Sequence, residues 1–206
     1  MVLMSTQPKA LITEAQYLEI EKSSEVRNEF FQGEMFPMEA SISHTVINGN
    51  VFVILTRELA GSECRPFTTG LRIRVAATGL YAYPDVVVVC GKPEVSDRDK
   101  DSVINPSVLV EILSPTTENY DRGRKFVQYR SIPSFREYLL FAQDRMHVEH
   151  HVRQADGGWL LHETSDGDAT VYLKSVGGAI HVARGLRRRS VLSCASRLTP
   201  APVDPC

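Results

Sequence analysis

The chain has 206 residues, of which 43% are hydrophobic and 23% charged, a composition typical of one globular domain and unlike that of a disordered chain. The formal net charge of −2 excludes a strongly basic protein that coats nucleic acid without specificity. The N-terminus has neither the basic start nor the long apolar region of a signal peptide, and no apolar run reaches membrane-spanning length. We therefore expect a cytoplasmic protein without a membrane segment.

Charge is distributed unevenly along the chain. Residues 184–206 hold five Arg and one Asp, so the rest of the chain carries −6. We predict a short tail at residues 1–12, one domain at 13–183 and a basic, disordered tail at 184–206. The four cysteines show no paired spacing, which predicts neither a disulfide nor a zinc knuckle; they are Cys64, Cys90, Cys194 and Cys206.

The first third of the chain predicts a helix, a hairpin and a second helix. Thr13 and Gln16 form a capping-box pattern, so a helix should cover residues 14–22 with Tyr17 or Leu18 facing inward. Two short strands, 28–31 and 34–36, flank a turn at Gln32-Gly33. Ser41 or Ser43 should cap a helix over residues 44–60, whose apolar stripe is Ile47, Val51, Ile54, Leu55 and Leu59.

The middle of the chain predicts strands around a polar loop. Leu71, Ile73 and Val75 alternate with Arg72 and Arg74, which indicates a half-buried strand. We expect it to pair in antiparallel fashion with the apolar strand after Asp85, through a turn near Gly79. Residues 93–105 are polar and predict an exposed loop, and residues 108–113 predict a buried strand.

The last third predicts one helix and several strands. A helix over residues 118–131 should end before Pro133, because the residue before a proline disfavours helical geometry. Strands are predicted at residues 135–141, 146–153, 159–163 and 171–173.

Each of two apolar strand segments carries one acid, Asp85 or Glu111. A carboxylate on a buried strand is costly unless a cation pairs with it. If the two strands are neighbours, both carboxylates can bind Mg²⁺ at one end of the sheet, and the metal can activate a water for phosphodiester hydrolysis. A Lys should assist, but Leu113, which shares the face of Glu111, is apolar. Lys125 on the following helix can point back over the sheet, with Asp121 one turn before it and Gln128 and Tyr129 one turn after.

These residues together resemble a bacterial family of restriction-endonuclease-like proteins in the PD-(D/E)XK nuclease superfamily. The resemblance rests on Pro84-Asp85, Glu111 to Thr117, Asp121 to Lys125 with Tyr129, and Ile132 to Leu139, and it extends over residues 13–173. It implies an α/β (α+β) fold with a mixed β-sheet flanked by helices. It also implies that Asp85 and Glu111 are metal ligands and that Lys125 is a displaced catalytic Lys.

The resemblance has two departures and several open points. Leu113 stands where the superfamily has its Lys, as is common in this branch, and the pattern is lost after Ala179. Glu29 and His44 match family positions and can serve the site, or only hairpin pairing and helix capping. Asp85 can instead end a turn, and Lys125 can be a surface residue paired with Asp121.

Two further sets of residues invite a functional interpretation. His147, Glu149 and His151 alternate on one strand face, and we reject a metal site there because the sequence shows no fourth ligand. Three arginines beside the proposed site are candidates for phosphate contacts; they are Arg122, Arg124 and Arg130.

The sequence thus favours a Mg²⁺-dependent endonuclease that hydrolyses DNA, with Mn²⁺ as a substitute metal. Its partners would be nucleic acid and, in a homodimer, a second copy of the chain. An alternative is a catalytically inactive member of the same fold that binds nucleic acid or protein. A second alternative, suggested by the unfamiliar C-terminus, is a truncated or frameshifted inactive copy.

Overall fold

The computed structural model describes residues 11–38, 40–68 and 70–187. The described strands form a five-stranded sheet, a six-stranded sheet and a two-stranded hairpin. In chain order, the elements are α1 (Glu14–Ser23), β1 (Asn28–Phe31), β2 (Glu34–Pro37), α2 (Ile42–Glu58), β3 (Cys64–Thr68), β4 (Arg72–Val75), β5 (Leu80–Ala82), β6 (Val86–Cys90), β7 (Ser102–Val103), β8 (Val108–Leu113), α3 (Glu118–Tyr120), a π-helical turn (Asp121–Lys125), α4 (Phe126–Tyr129), β9 (Glu137–Ala142), β10 (Val148–Arg153), β11 (Trp159–Thr164), β12 (Thr170–Leu173), β13 (Gly178–His181) and α5 (Val182–Gly185).

The six-stranded sheet is the centre of the fold, in the order β11-β10-β9-β8-β6-β3. It is a mixed sheet, because β8 and β9 are parallel while β6 and β8 are antiparallel. Side chains alternate along β8, so Val110 and Ile112 pack on the face covered by α2 and the β12–β13 hairpin. Leu109 and Leu113 pack on the opposite face, against the five-stranded sheet and the helical segment 118–129. The predicted mixed sheet flanked by helices is confirmed.

The N-terminal elements form as the sequence predicts. Gln16 N–H donates to the Thr13 hydroxyl at 3.2 Å while Thr13 N–H donates to the Gln16 side chain at 2.8 Å, completing the capping box. Tyr17 is fully buried and stacks on Phe30 of β1, with ring centroids 4.8 Å apart. The five-stranded sheet, in the order β2-β1-β5-β4-β7, continues from this hairpin.

Helix α2 begins two residues earlier than predicted. The Ser41 hydroxyl accepts a hydrogen bond from His44 N–H at 3.1 Å, so Ser41 is the cap and His44 lies in the first turn. The predicted apolar stripe faces the six-stranded sheet, with four members buried and one half-buried; they are Ile47, Val51, Leu55, Leu59 and Ile54.

The expected pairing of the strand over residues 71–75 with the strand after Asp85 is wrong. β4 pairs instead with β5, which ends at Ala82, and β6 pairs with β3 and β8 in the other sheet. The chain passes from one sheet to the other at Pro84-Asp85, where proline has no N–H to continue a ladder. This crossing places Asp85 at the start of β6.

The arginines of β4 and the loop after β6 are more buried than predicted. Arg72 donates to Asp99 at 2.8 Å and to Ser102, and Arg74 donates to Glu14 at 3.0 Å. Both arginines can be buried because acids from a distant helix and loop pair with them. The alternation of residues along one strand does not reveal such partners. Residues 93–105 are therefore not a fully exposed loop, since β7 and the Asp99 contact anchor them.

The prediction that no disulfide forms is also wrong. Cys64 and Cys90 are bonded to each other. They are direct partners on antiparallel strands β3 and β6, with Cα atoms 3.9 Å apart. Their sequence separation of 26 hides this pairing, because β3 was not predicted as a strand.

The predicted helix over residues 118–131 is observed at 118–129, but it is not regular. Asp121–Lys125 form a π-helical turn between α3 and α4. π turns widen the helix and often occur at functional sites. Both Asp121 and Lys125 are buried, and their side chains lie 3.4 Å apart.

Described residues after Ala179, where the resemblance to the family pattern is lost, still pack on the core. Ile180 of β13 and Val182 and Leu186 around α5 are buried in the cluster that contains α2. The predicted domain boundary at residue 183 thus falls inside α5, while residues 188–206 of the predicted tail, like residues 1–10, lie outside the described residues. Within the described ranges, no helix has both the length and the apolar character needed to cross a membrane.

Candidate active site

Lys125 lies at the centre of a buried cluster of acids. Its Nζ is 2.8 Å from Glu29 Oε1, 2.9 Å from Glu111 Oε1 and 3.4 Å from Asp121 Oδ1. The π turn supplies Lys125 and Asp121, β8 supplies Glu111 and β1 supplies Glu29. All four side chains are less than 10% exposed. Three elements distant in sequence thus converge on one ammonium group.

Glu111 is held by two donors on the same oxygen. The Tyr129 hydroxyl donates to Glu111 Oε1 at 3.0 Å, and Lys125 approaches the same atom. Tyr129 is fully buried, so this hydrogen bond also satisfies its hydroxyl. Because both contacts use Oε1, Oε2 is the oxygen of Glu111 that remains open to a further ligand.

Asp85 lies at the start of β6, next to the end of β8. Its Oδ2 accepts from Ile112 N–H at 2.7 Å and lies 3.0 Å from His44 Nε2. Its Oδ1 accepts a longer bond, 3.3 Å, from Asn48 Nδ2. Val86 pairs with Val110 in the sheet, so the register extended by one residue sets Asp85 beside Glu111. The two predicted acids therefore meet at one end of the sheet.

The electrostatics of the cluster favour an additional positive charge. Burial, followed by the charges of Asp121, Asp85 and Glu29, raises the pKa of Glu111 well above its usual range, although Lys125 opposes this. Burial alone would lower the pKa of Lys125, but the carboxylates of Glu111, Glu29 and Asp121 raise it well above its usual value. Lys125 therefore keeps its proton at neutral pH, and four buried acids share the cluster with this one lysine.

His44 completes the cluster from α2. Burial lowers its pKa, but the hydrogen bond to Asp85 and the charges of Asp85 and Asp121 outweigh that effect and raise it. The histidine and Asn48, one helical turn later, both face Asp85. Asn48 was missed in the sequence, where its spacing from His44 on one helix face was the available signal.

The residues present fit a hard divalent metal. Mg²⁺ prefers carboxylate oxygens and keeps several waters, so two protein ligands suffice. Asp85 and Glu111 each offer one weakly used oxygen, and the raised pKa of Glu111 shows that a nearby cation would stabilise its charged form. Tyr120 supports the same conclusion, since its buried hydroxyl has no hydrogen-bond partner and its ring centroid is 6.0 Å from Lys125 Nζ.

Some sequence candidates lie outside this cluster. Gln128 is half-buried on α4, and its side chain takes part in none of the ion pairs or hydrogen bonds just described. Arg122 is not free for phosphate, because it donates to Glu149 at 2.7 Å and to Glu118 at 2.6 Å. Arg124 and Arg130 are exposed.

The rejection of a metal site at His147, Glu149 and His151 stays a prediction, but the structure adds a further acid beside two of these residues. Among the described residues, three ligand atoms come within 4.8 Å of one another only in the group of His147, Glu149 and Glu163. Glu163 lies on β11, directly opposite Glu149 of β10. The sequence could not show this third ligand, because the register of two strands brings it there.

Taken together, the mixed sheet and its acidic, Lys-containing end define a protein of the restriction-endonuclease-like, nuclease class. The chain belongs to the Uma2 family, described as "Putative restriction endonuclease", whose family model matches residues 14–183.

Relatives and a solved structure agree with this assignment. Two uncharacterized proteins of Synechocystis sp. are 35% and 32% identical to the chain, covering 78% and 82% of it and 92% and 88% of their own lengths. A crystal structure from Anabaena variabilis, described as a "putative nuclease belonging to DUF820", superposes with a TM-score of 0.69. That likeness covers 85% of this chain and 97% of the other at 16% identity, and it supports the fold alone.

Proposed function

We propose that this protein is a Mg²⁺-dependent endonuclease that hydrolyses phosphodiester bonds of DNA, with Mn²⁺ as a substitute metal. The observation that carries the proposal is the position of Lys125, whose ammonium group lies 2.9 Å from Glu111 in a cluster that also contains Asp85. A buried Lys in contact with three buried acids is costly to maintain as structure alone. The same arrangement suits a reaction in which negative charge builds up on a phosphate.

Asp85 and Glu111 would hold the metal. When bound there, a divalent ion supplies a Lewis acid that activates water and offsets charge on the phosphate. Ile112 N–H and Asn48 fix the Asp85 carboxylate, and the Tyr129 hydroxyl fixes Glu111. These contacts orient the two acids before any ligand arrives, as an effective site requires.

Lys125 would act as a hydrogen-bond donor and not as a general base. Its pKa is raised by the carboxylates of Glu111, Glu29 and Asp121, so it keeps its proton at neutral pH. A protonated amine can orient the attacking water by donating a hydrogen bond to a lone pair on the water oxygen. It can also stabilise charge on phosphate oxygens. Lys125 would thus take the role that Leu113, an apolar residue on the face of Glu111, cannot fill.

A basic cleft supports a phosphate-containing substrate. Three arginines and one aspartate line it, so its formal charge is positive; they are Arg145, Arg184, Arg187 and Asp144. Asp144 of the cleft directly follows Gln143, which accepts a hydrogen bond at 2.7 Å from Ser41, the cap of α2. Such residues suit contacts with the nucleic-acid backbone and carry no sequence readout. A homodimer would let two such sites cut both strands of a duplex.

Cleavage of defined substrates tests the proposal. Untagged protein would be incubated with single-stranded DNA, duplex DNA and RNA in the presence of Mg²⁺, Mn²⁺ or EDTA. We expect metal-dependent cleavage of DNA and its loss in Asp85→Ala, with Asp101→Asn on an exposed loop as the matched control. Cleavage that is absent, or that survives in Asp85→Ala, would refute the proposal. Sedimentation velocity on the same samples gives the oligomeric state.

A second candidate function is nucleic-acid binding without catalysis. One observation favours it. The ammonium group of Lys125 already contacts the acids of Glu29, Glu111 and Asp121 and can offset their charge. If the Lys simply neutralises these acids, no metal is required. Salt-dependent DNA binding that is identical with Mg²⁺ and with EDTA, and without cleavage, would favour this candidate.

A further inference from the structure

A second cluster of side chains that could hold a metal ion lies at the start of β10 and on β11, away from Lys125. His147 Nε2 is 3.6 Å from Glu149 Oε1 and 3.5 Å from Glu163 Oε1. We propose that His147, Glu149 and Glu163 form a separate site for a transition-metal dication such as Zn²⁺. The proposal does not rest on the nuclease activity.

The distances fit an ion better than direct pairing. A hydrogen bond between a charged imidazole and a carboxylate is about 2.7–2.9 Å long, and these two contacts are longer. Ligands at about 2.0–2.2 Å from a tetrahedral Zn²⁺ lie about 3.4 Å from each other. The separations of 3.5 and 3.6 Å in this cluster are close to that value. One imidazole with two carboxylates is also a ligand set that Zn²⁺ accepts.

The surroundings orient the proposed ligands. His147 Nδ1 is 3.1 Å from the Ser165 hydroxyl, which leaves Nε2 directed at the two carboxylates. Metal-binding histidines commonly use their second nitrogen in this way. Arg122 Nε donates to Glu149 Oε1 at 2.7 Å, so this carboxylate is held in place and an ion at the site would share that oxygen with the guanidinium group.

A second, independent observation points to a missing ligand. His151 Nε2 is buried and has no hydrogen-bond partner, and it lies 3.8 Å from Glu149 Oε2. An unpaired buried nitrogen is costly unless something satisfies it. An ion or its bound water beside Glu149 would do so, which makes His151 a neighbour of the proposed site.

Sheet register places this cluster apart from the candidate active site. Glu111 pairs with Leu140, Leu140 with Glu149, and Glu149 with Glu163, so all four lie in one row across β8 to β11. Adjacent strands are about 4.8 Å apart, so Glu149 is about 10 Å from Glu111. A bound ion would join β10 to the edge strand β11 and, through Arg122, to the helix that carries Lys125.

Calorimetric titration with Zn²⁺ tests the site on the full chain. The untagged protein would carry Cys194→Ser and Cys206→Ser, which remove two thiols that could bind the same metal. We expect one saturable site whose affinity falls at least about tenfold in His147→Gln and in Glu163→Gln. The matched control is His162→Gln, an exposed histidine adjacent to Glu163, which should leave the affinity within about twofold.

Two further measurements accompany the calorimetric titration, one of the fold and one of metal coordination. Glu163 is 54% exposed, so Glu163→Gln should keep the fold, and circular dichroism with thermal melting would verify this. Co²⁺ in place of Zn²⁺ should give a visible absorption band that His147→Gln removes. Absence of saturable Zn²⁺ binding, or equal affinity in His147→Gln and His162→Gln, would overturn the proposal. So would Zn²⁺ binding that Glu111→Gln abolishes while His147→Gln retains it, since the ion would then belong to the candidate active site.

Discussion

Lys125 reaches Glu111 from the helix that follows its strand, with Nζ 2.9 Å from Oε1. Lys125 is fourteen positions after Glu111 in the chain, and it is buried at the end of the π turn Asp121–Lys125. Leu113, two residues beyond Glu111 on the same strand face, lies in the apolar core instead. The contact between Lys125 and Glu111 is therefore built by tertiary structure and not by the strand itself.

Replacing Lys125 by Met should destabilise the protein strongly. The change removes the ammonium group and leaves the carboxylates of Glu29, Glu111 and Asp121 buried together. Loss of one partner from a buried ionic cluster costs about 3–5 kcal/mol in the free energy of unfolding. Urea denaturation at pH 7 measures it, with the exposed Arg124→Met as the control. A loss below about 0.5 kcal/mol would show that Lys125 is not part of a buried ionic cluster.

Replacing Tyr129 by Phe should have a smaller effect on stability. The substitution removes the hydroxyl that donates to Glu111 at 3.0 Å and leaves the ring packing intact. We expect the free energy of unfolding to fall by about 1–2 kcal/mol, because a buried carboxylate loses one donor. Tyr172→Phe, at a 65% exposed position, should change it by less than about 0.5 kcal/mol. Equal effects of the two substitutions would contradict the assignment of this hydrogen bond.

Breaking the Cys64–Cys90 disulfide should destabilise the edge of the six-stranded sheet. A cross-link that closes a loop of this length, 26 residues in sequence separation, contributes about 3–4 kcal/mol in the chain-entropy account. Thermal melts of the protein with Cys64→Ser and Cys90→Ser should show a lower melting temperature than the oxidised protein. Adding a reductant should lower the wild-type value and leave that of the double variant unchanged. A reductant effect of equal size in both proteins would exclude this bond as its cause.

The stabilising effect of Glu137 should depend on pH. Burial raises the pKa of this carboxyl, but hydrogen bonds from His150 and from Ser175 outweigh burial and lower it. A carboxyl whose pKa is lower in the folded state stabilises the protein above its unfolded pKa, and this contribution is lost as pH falls through the folded pKa. Glu137→Gln should thus cost about 1–3 kcal/mol at pH 7 and progressively less below about pH 4.5.

Denaturant unfolding of wild type and Glu137→Gln across pH 3.5 to 7 measures that difference. Glu58→Gln, which replaces an exposed carboxylate near the end of α2, provides the comparison. A difference for Glu137→Gln that stays constant or grows as the pH falls below about 4.5 would contradict the lowered pKa.

The sequence predicted what depends on local pattern. The Thr13 capping box, the apolar stripe of α2 and the buried β8 strand with one acid follow from spacing over a few residues. The resemblance to a family predicted that Asp85, Glu111 and Lys125 form one site, and in the structure these residues lie in one cluster. Their catalytic roles remain a prediction.

The errors concern residues whose partners are distant in sequence. The Cys64–Cys90 bond and the passage between sheets at Pro84 both depend on strand order and register. Burial of Arg72 likewise depends on Asp99, an acid 27 residues away. One strand's alternation cannot encode such contacts, and the π turn has no pattern distinct from that of an α-helix.

The most direct test of the central claim is metal-dependent DNA cleavage by Glu111→Gln. This variant keeps the size and hydrogen-bonding capacity of the side chain and removes the charge that the proposed metal needs. The matched control is Glu58→Gln, at an exposed position near the end of α2. We predict that Mg²⁺-dependent nicking of plasmid DNA falls at least about a hundredfold in Glu111→Gln and is unchanged in Glu58→Gln. Nicking by a folded Glu111→Gln protein at the wild-type rate would contradict the assignment of Glu111 as a metal ligand of a nuclease.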